Sequence, residues 1–114
     1  MYPSNEETQQ LAKRMFLNDI NECSYFPKYF TLQTINICNA KCIMCHVPQK
    51  TREPEIIDEQ LFIKFVNEVK PYSEWIKSIS MFGDNEPLLD KRLPERVGLL
   101  KEKGIKFVTL STNG

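Results

Sequence analysis

The chain has 114 residues, 41% of them hydrophobic, and its 15 lysines and arginines balance 15 aspartates and glutamates. That length allows one domain at most, and a formal net charge of zero leaves no whole-molecule field with which to collect nucleic acid or an anionic membrane surface. No cationic region followed by an apolar run and a small-residue cleavage site opens the chain, and no stretch approaches ~18 apolar residues, so a soluble, cytoplasmic protein without nucleic-acid or membrane partners is expected.

Ser4 followed by Glu7, with Pro3 just outside, is a capping-box pattern and predicts a helix running to about Asn21. Leu11 with Met15, and Ala12 with Phe16 and Ile20, supply its apolar stripe, and the segment CSYFPKY ends it. The β-branched and aromatic residues of FTLQTINI predict a buried strand over 30–37 that runs straight into a cysteine cluster. After the cluster, HVPQKTREPEI holds two prolines and several charges and reads as a loop.

Asp58 is the expected N-cap of a helix in which Leu61, Phe62, Phe65, Val66 and Val69 form the apolar face, with Pro71 at its end. WIKSISMF, 75–82, predicts a second strand closed by the polar turn GDNEP. Leu93, Val97 and Leu100 line a further helix that Gly104 is expected to cap, and IKFVTLSTNG predicts a third strand ending in another turn. Strands alternating with helices argue for a parallel sheet with right-handed crossovers. Ligands of such sheets sit beyond the carboxyl ends of the strands, where CNAKCIMC, GDNEP and STNG all fall, so the three turns are expected to form one site.

The chain has four cysteines, and three of them, Cys38, Cys42 and Cys45, fall in one short loop. In a reducing compartment such clustering points to metal ligation or redox chemistry rather than disulfides. Three thiolates can hold three irons of a [4Fe–4S] cluster and leave the fourth open to a small chelating ligand, which separates a catalyst from an electron carrier. The competing reading counts His46 as a fourth ligand to zinc, although adjacent Cys45 and His46 reach one tetrahedral centre with difficulty. His46 otherwise reads as a polar loop residue, and Cys23 as a small buried apolar one.

The CxxxCxxC spacing of Cys38, Cys42 and Cys45, together with GDNEPLL and LSTNG in that order, resembles the radical S-adenosylmethionine (radical SAM) superfamily over roughly residues 29–114. The resemblance implies a [4Fe–4S] cluster on Cys38, Cys42 and Cys45 that binds S-adenosyl-L-methionine at its open iron. It further implies reductive cleavage to methionine and a 5′-deoxyadenosyl radical that abstracts hydrogen from the substrate. By position, Gly83, Asn85 and Glu86 match the turn that holds the amino group of the methionyl moiety, with Asn85 standing where a glycine is usual. Asparagine is among the few residues that tolerate positive φ. Met44 matches a position that packs against adenine, Thr112 and Asn113 match the third-strand turn, and no residue is singled out as an acid, base or nucleophile.

The implied fold is α/β: the first three βα units of a partial TIM-like (βα)6 barrel with parallel strands, preceded by the N-terminal helix. Residues 1–28 are then helix and linker, and 29–114 are the partial core. Because a full eight-stranded barrel takes ~250 residues, the chain is expected to be a truncated N-terminal part of a larger enzyme. The implied partners are a reductant protein such as a flavodoxin or ferredoxin and a peptide or small-metabolite substrate, with the SPASM-type, peptide-modifying group the most similar. The alternative is a non-catalytic, cluster-holding or zinc-binding module.

Overall fold

The computed structural model describes Glu6, Gln10 and residues 26–114. Glu6 and Gln10 are helical and exposed; the rest of the expected N-terminal helix, its capping box and Cys23 lie outside the described residues. Strand β1 (Tyr29–Thr31), helix α1 (Glu59–Val69), strand β2 (Ser78–Ser80), helix α2 (Leu93–Glu102) and strand β3 (Val108–Thr109) follow in chain order. The strands form a three-stranded sheet in the order β1-β2-β3. Both pairings are parallel, with Phe30 opposite Ile79 and Ile79 opposite Val108, so the α/β arrangement expected from the strand and helix order is what the chain adopts. Parallel neighbours cannot be joined by a hairpin, and α1 and α2 are the crossovers. No described helix is long and apolar enough to cross a membrane.

The strands are shorter than their composition suggests. Of the expected strand 30–37, Phe30 and Thr31 pair with β2, followed by a last bond from Leu32 N–H to Ser80 O (2.8 Å). Beyond it the chain leaves the sheet and makes an isolated antiparallel bridge between Ile35 and Ile56. Asn36 N–H donates to Glu55 O (3.2 Å) and Ile57 N–H to Thr34 O (2.7 Å). The β-forming residues Thr34 and Ile35 are indeed buried, 1% and 4% exposed, but they close the neck of the cysteine loop instead of lengthening the sheet. The strands expected over 75–82 and 105–114 contract in the same way to their central residues.

Helix α1 begins where the sequence places it, with Asp58 Oδ1 accepting from Leu61 N–H at 3.0 Å. Phe62, Val66 and Val69 recur at helical spacing and are buried against Ile76, Ile79 and Met81 around β2 and against Leu93, Leu100 and Ile105. Phe65 lies at the edge of this core and meets Phe30 edge-on at 5.4 Å. Leu61, expected on the same face, is 56% exposed: it sits about 100° around the helix from Phe62, past the rim of the apolar stripe. Pro71 follows in a 3-10 turn, Lys70–Tyr72. In α2 the third buried side chain beside Leu93 and Leu100 is Arg96, with Val97 only partly buried.

Gly104 caps α2 with φ +91°, donating its N–H to Lys101 O at 3.0 Å. A Cβ here would face both the left-handed backbone penalty and Ser73 Oγ at 3.2 Å. Gly104→Ala is expected to lower stability by about 1–2 kcal/mol, measured as a lower urea midpoint with an unchanged denaturant slope.

Candidate cofactor site

Because the strands are parallel, the segments that leave their carboxyl ends emerge on one side of the sheet. There the cysteine loop, the Gly83–Glu86 turn and the Ser111–Asn113 segment surround one cavity of about 280 Å³. Cys38, Cys42, Cys45, Gly83, Asn85, Glu86, Thr112 and Asn113 all line it. Met44 is not among the lining residues: it stands 87% exposed at the tip of the loop, next to Ile43. Larger clefts of about 540 Å³ beside Ile56 and Leu61 and about 440 Å³ beside His46 and Lys50 contain no cysteine. Donor chemistry, not size, therefore marks the site.

Three sets of bonds hold the cysteine loop in place. At its neck Asn36 Nδ2 donates to Glu53 O (2.8 Å) while Asn36 Oδ1 accepts from Glu55 N–H (2.7 Å). On its flank Asp84 is gripped by His46 Nε2 on its carboxylate (3.0 Å) and by Lys50 Nζ on its carbonyl (2.8 Å). The Asp84 N–H donates to Gln33 Oε1 (3.3 Å). Towards the third turn, Asn113 Nδ2 donates to Asn39 Oδ1 at 3.0 Å. His46 thus points to Asp84 and does not line the cysteine cavity. Asn36, Gln33 and Lys50 carry no motif, and sequence reasoning missed all three.

Within the loop the polypeptide directs N–H groups at sulfur: Ala40 N–H towards Cys38 Sγ (3.4 Å) and Val47 N–H towards Cys45 Sγ (3.5 Å). Hydrogen bonds to the ligating sulfurs are one of the means by which a protein tunes a cluster's potential. Cys42 is exposed, Cys38 and Cys45 are half-buried, and all three are free. Among the described residues no three His, Cys, Asp or Glu side chains close on a point where one metal ion could sit. The cavity wall carries these three sulfurs and no histidine, a donor set that fits three irons of a [4Fe–4S] cluster. One further donor fits a ligand there: Asn85 Oδ1 accepts from Gly83 N–H (2.9 Å), while Asn85 Nδ2 is buried with no partner.

Gly83 is not one of the glycines with positive φ. Its lack of a side chain serves a close approach, since a Cβ would fall 2.9 Å from Gln33 Oε1. Glu86 is 4% exposed, and its carboxylate accepts from Thr112 Oγ1 (2.6 Å), Asn113 N–H (2.8 Å) and Leu88 N–H (3.0 Å). Burial pushes its pKa up, but the bonds from Thr112, Asn113 and Leu88 outweigh that and hold the carboxyl below its usual range.

A family model for the radical SAM superfamily matches residues 32–114. The tungsten-containing aldehyde ferredoxin oxidoreductase cofactor-modifying protein of Pyrococcus furiosus is 31% identical over 87 residues, 76% of this chain and 24% of that protein. A probable GTP 3',8-cyclase of Methanococcus maripaludis is 33% identical over 86 residues, 75% of this chain and 28% of the relative. The crystal structure of BtrN in complex with AdoMet and 2-DOIA superposes with a TM-score of 0.71 at 24% identity, covering 80% of this chain and 37% of BtrN. The chain spans about a quarter of the length of the curated relatives it matches.

Proposed function

The chain belongs to the radical SAM superfamily, and from that premise we propose that it is the N-terminal part of the core of a radical-generating enzyme. The cofactors of this family are a [4Fe–4S] cluster and S-adenosyl-L-methionine. The single observation that carries the proposal is the shared wall of one cavity: Cys38, Cys42 and Cys45 face the Gly83–Glu86 turn and the Thr112–Asn113 turn across it. When bound, the two cofactors supply an electron for reductive cleavage of the sulfonium and the radical that takes a hydrogen atom from the substrate.

The work of the chain itself is to bind and orient. Cys38, Cys42 and Cys45 would hold three irons of the cluster through their thiolates, leaving the fourth open to S-adenosylmethionine. The N–H groups of Ala40 and Val47 point at the Cys38 and Cys45 sulfurs and help to fix their orientation. Asn85 offers its unpartnered amide to an acceptor at the cavity wall, and the neck and flank bonds keep the loop at a set distance from the sheet. We propose further that a reductant protein such as a flavodoxin or ferredoxin delivers the electron in the cytoplasm. The segment from Asn85 to Gly114 resembles the group that modifies peptides and small metabolites, which supports a substrate of that kind.

Anaerobic reconstitution with iron and sulfide, reduction, and electron paramagnetic resonance with and without S-adenosylmethionine test this reading. A reduced [4Fe–4S] signal that shifts on adding the cofactor is the expected result. Bound zinc, or a cluster signal indifferent to the cofactor, would overturn it and leave a metal-stabilised module.

A further inference from the structure

We infer that Glu86 acts as a positioning residue that locks the three rim turns together, and that its carboxylate is not the ligand of the cofactor's ammonium group. A carboxylate has about four acceptor positions, and three on Glu86 are already taken within the protein. Oε1 holds Thr112 Oγ1 at 2.6 Å and Leu88 N–H at 3.0 Å, and Oε2 holds Asn113 N–H at 2.8 Å. The residue is 4% exposed, so it presents almost no surface to an incoming cation. Its backbone is committed as well: Glu86 N–H donates to Ile37 O at 2.8 Å, one residue before Cys38.

Glu86 thus joins all three rim segments. Its main chain holds the base of the cysteine loop, and its side chain holds the turn after β3. That turn in turn reaches back to the loop through Asn113 Nδ2 and Asn39 Oδ1, 3.0 Å apart. The circuit Ile37, Glu86, Asn113, Asn39 closes on either side of Cys38. A glutamate suits this post for a physical reason: two N–H groups and a hydroxyl converge on one buried point, and only an ionised acceptor-only group satisfies them all. A glutamine there turns an NH2 group against at least one N–H.

The test uses Glu86→Gln, Thr112→Val and the double variant, with Thr112→Ser as the conservative rescue. The cofactor-free chain is examined first by amide hydrogen exchange. Exchange at Asn113 is expected to rise about tenfold in Glu86→Gln and measurably in Thr112→Val, and unchanged protection at Asn113 would overturn the inference.

The second arm rests on the proposed function and uses the reconstituted chain titrated with S-adenosylmethionine. Affinity is expected to fall about tenfold, the order seen for outer positioning partners, in Glu86→Gln and in Thr112→Val. The double variant should be no worse than Glu86→Gln, Thr112→Ser should match the wild type, and iron content and the cofactor-induced spectral shift should be retained throughout. Loss of that shift in Glu86→Gln alone, with Thr112→Val binding normally, would identify the carboxylate as the ammonium ligand and overturn the inference. A wild-type chain that takes up no cluster would overturn the proposed function, and the exchange result would still decide the role of Glu86.

Discussion

Cys42→Ala is expected to abolish assembly of the [4Fe–4S] cluster, as are Cys38→Ala and Cys45→Ala. The loss should exceed the roughly 10–100-fold that removal of an outer hydrogen-bond partner costs a metal site, because a ligand itself is removed and two thiolates cannot hold a cubane by three corners. Bound iron and sulfide after anaerobic reconstitution, with the absorbance of the cluster, give the measurement. None of the three cysteines belongs to the hydrophobic core, so the metal-free variants should unfold at the same urea concentration as the wild type. His46→Ala is the informative contrast. Its imidazole lies 3.0 Å from Asp84 Oδ2, so this variant should retain the cluster. A variant at His46 that loses metal as completely as Cys42→Ala would restore the zinc reading.

Asp90→Asn is expected to destabilise the metal-free protein by about 3–5 kcal/mol, the cost of breaking a buried ion pair by removing one partner. The side chains of Asp90 and Arg96 are 2% and 1% exposed and meet at 2.5 Å. Asp90 Oδ2 also accepts from Thr34 Oγ1 at 2.7 Å. Arg96 has one other carboxylate, Glu59 at 3.3 Å, and its Nε already lacks a partner. Neutralising Asp90 therefore leaves a buried guanidinium with a single half-exposed counter-charge, its face resting over the Phe62 ring at 5.5 Å to the centroid.

The double variant Asp90→Leu, Arg96→Met removes both charges and should recover most of the loss, since an apolar pair of similar volume often matches a buried ion pair. Urea unfolding of both variants measures the difference. A single variant within about 1 kcal/mol of the wild type would mean that the pair behaves as an exposed one. The network matters to the site because Thr34, whose hydroxyl Asp90 holds, uses its carbonyl to accept from Ile57 N–H (2.7 Å) at the neck of the cysteine loop.

Neither Asp90 nor Arg96 was legible as a core residue. A charged side chain on a helix is ordinarily a solvated one, as it is for Arg92, whose carboxylate partners, Glu59 and Glu95, lie at the surface. The difference is that position 96 shares the face of Leu93 and Leu100 and has Asp90 and Glu59 brought to it from other elements. Asn36 and Lys50 were hidden for the same reason: their partners Glu53, Glu55 and Asp84 lie 17 to 34 residues away. Leu61 was misplaced because a stripe of five apolar positions is wider than the contact a helix makes with one core.

What the sequence by itself determined is whatever short-range chemistry can encode. The N-cap Asp58, the left-handed cap Gly104, the periodic face of Phe62, Val66 and Val69, and the cysteine spacing each depend on neighbours within a few residues. The order of strands and helices also sufficed for a parallel sheet, because chain geometry leaves little choice once strands alternate with helices. Only the tertiary structure decided where the strands stop, which residues clamp the cysteine loop, and that Glu86 spends its carboxylate on Thr112, Leu88 and Asn113. Those outcomes depend on groups that meet only after the chain has crossed over twice, and a buried polar group takes as its partner whatever the completed packing brings within reach.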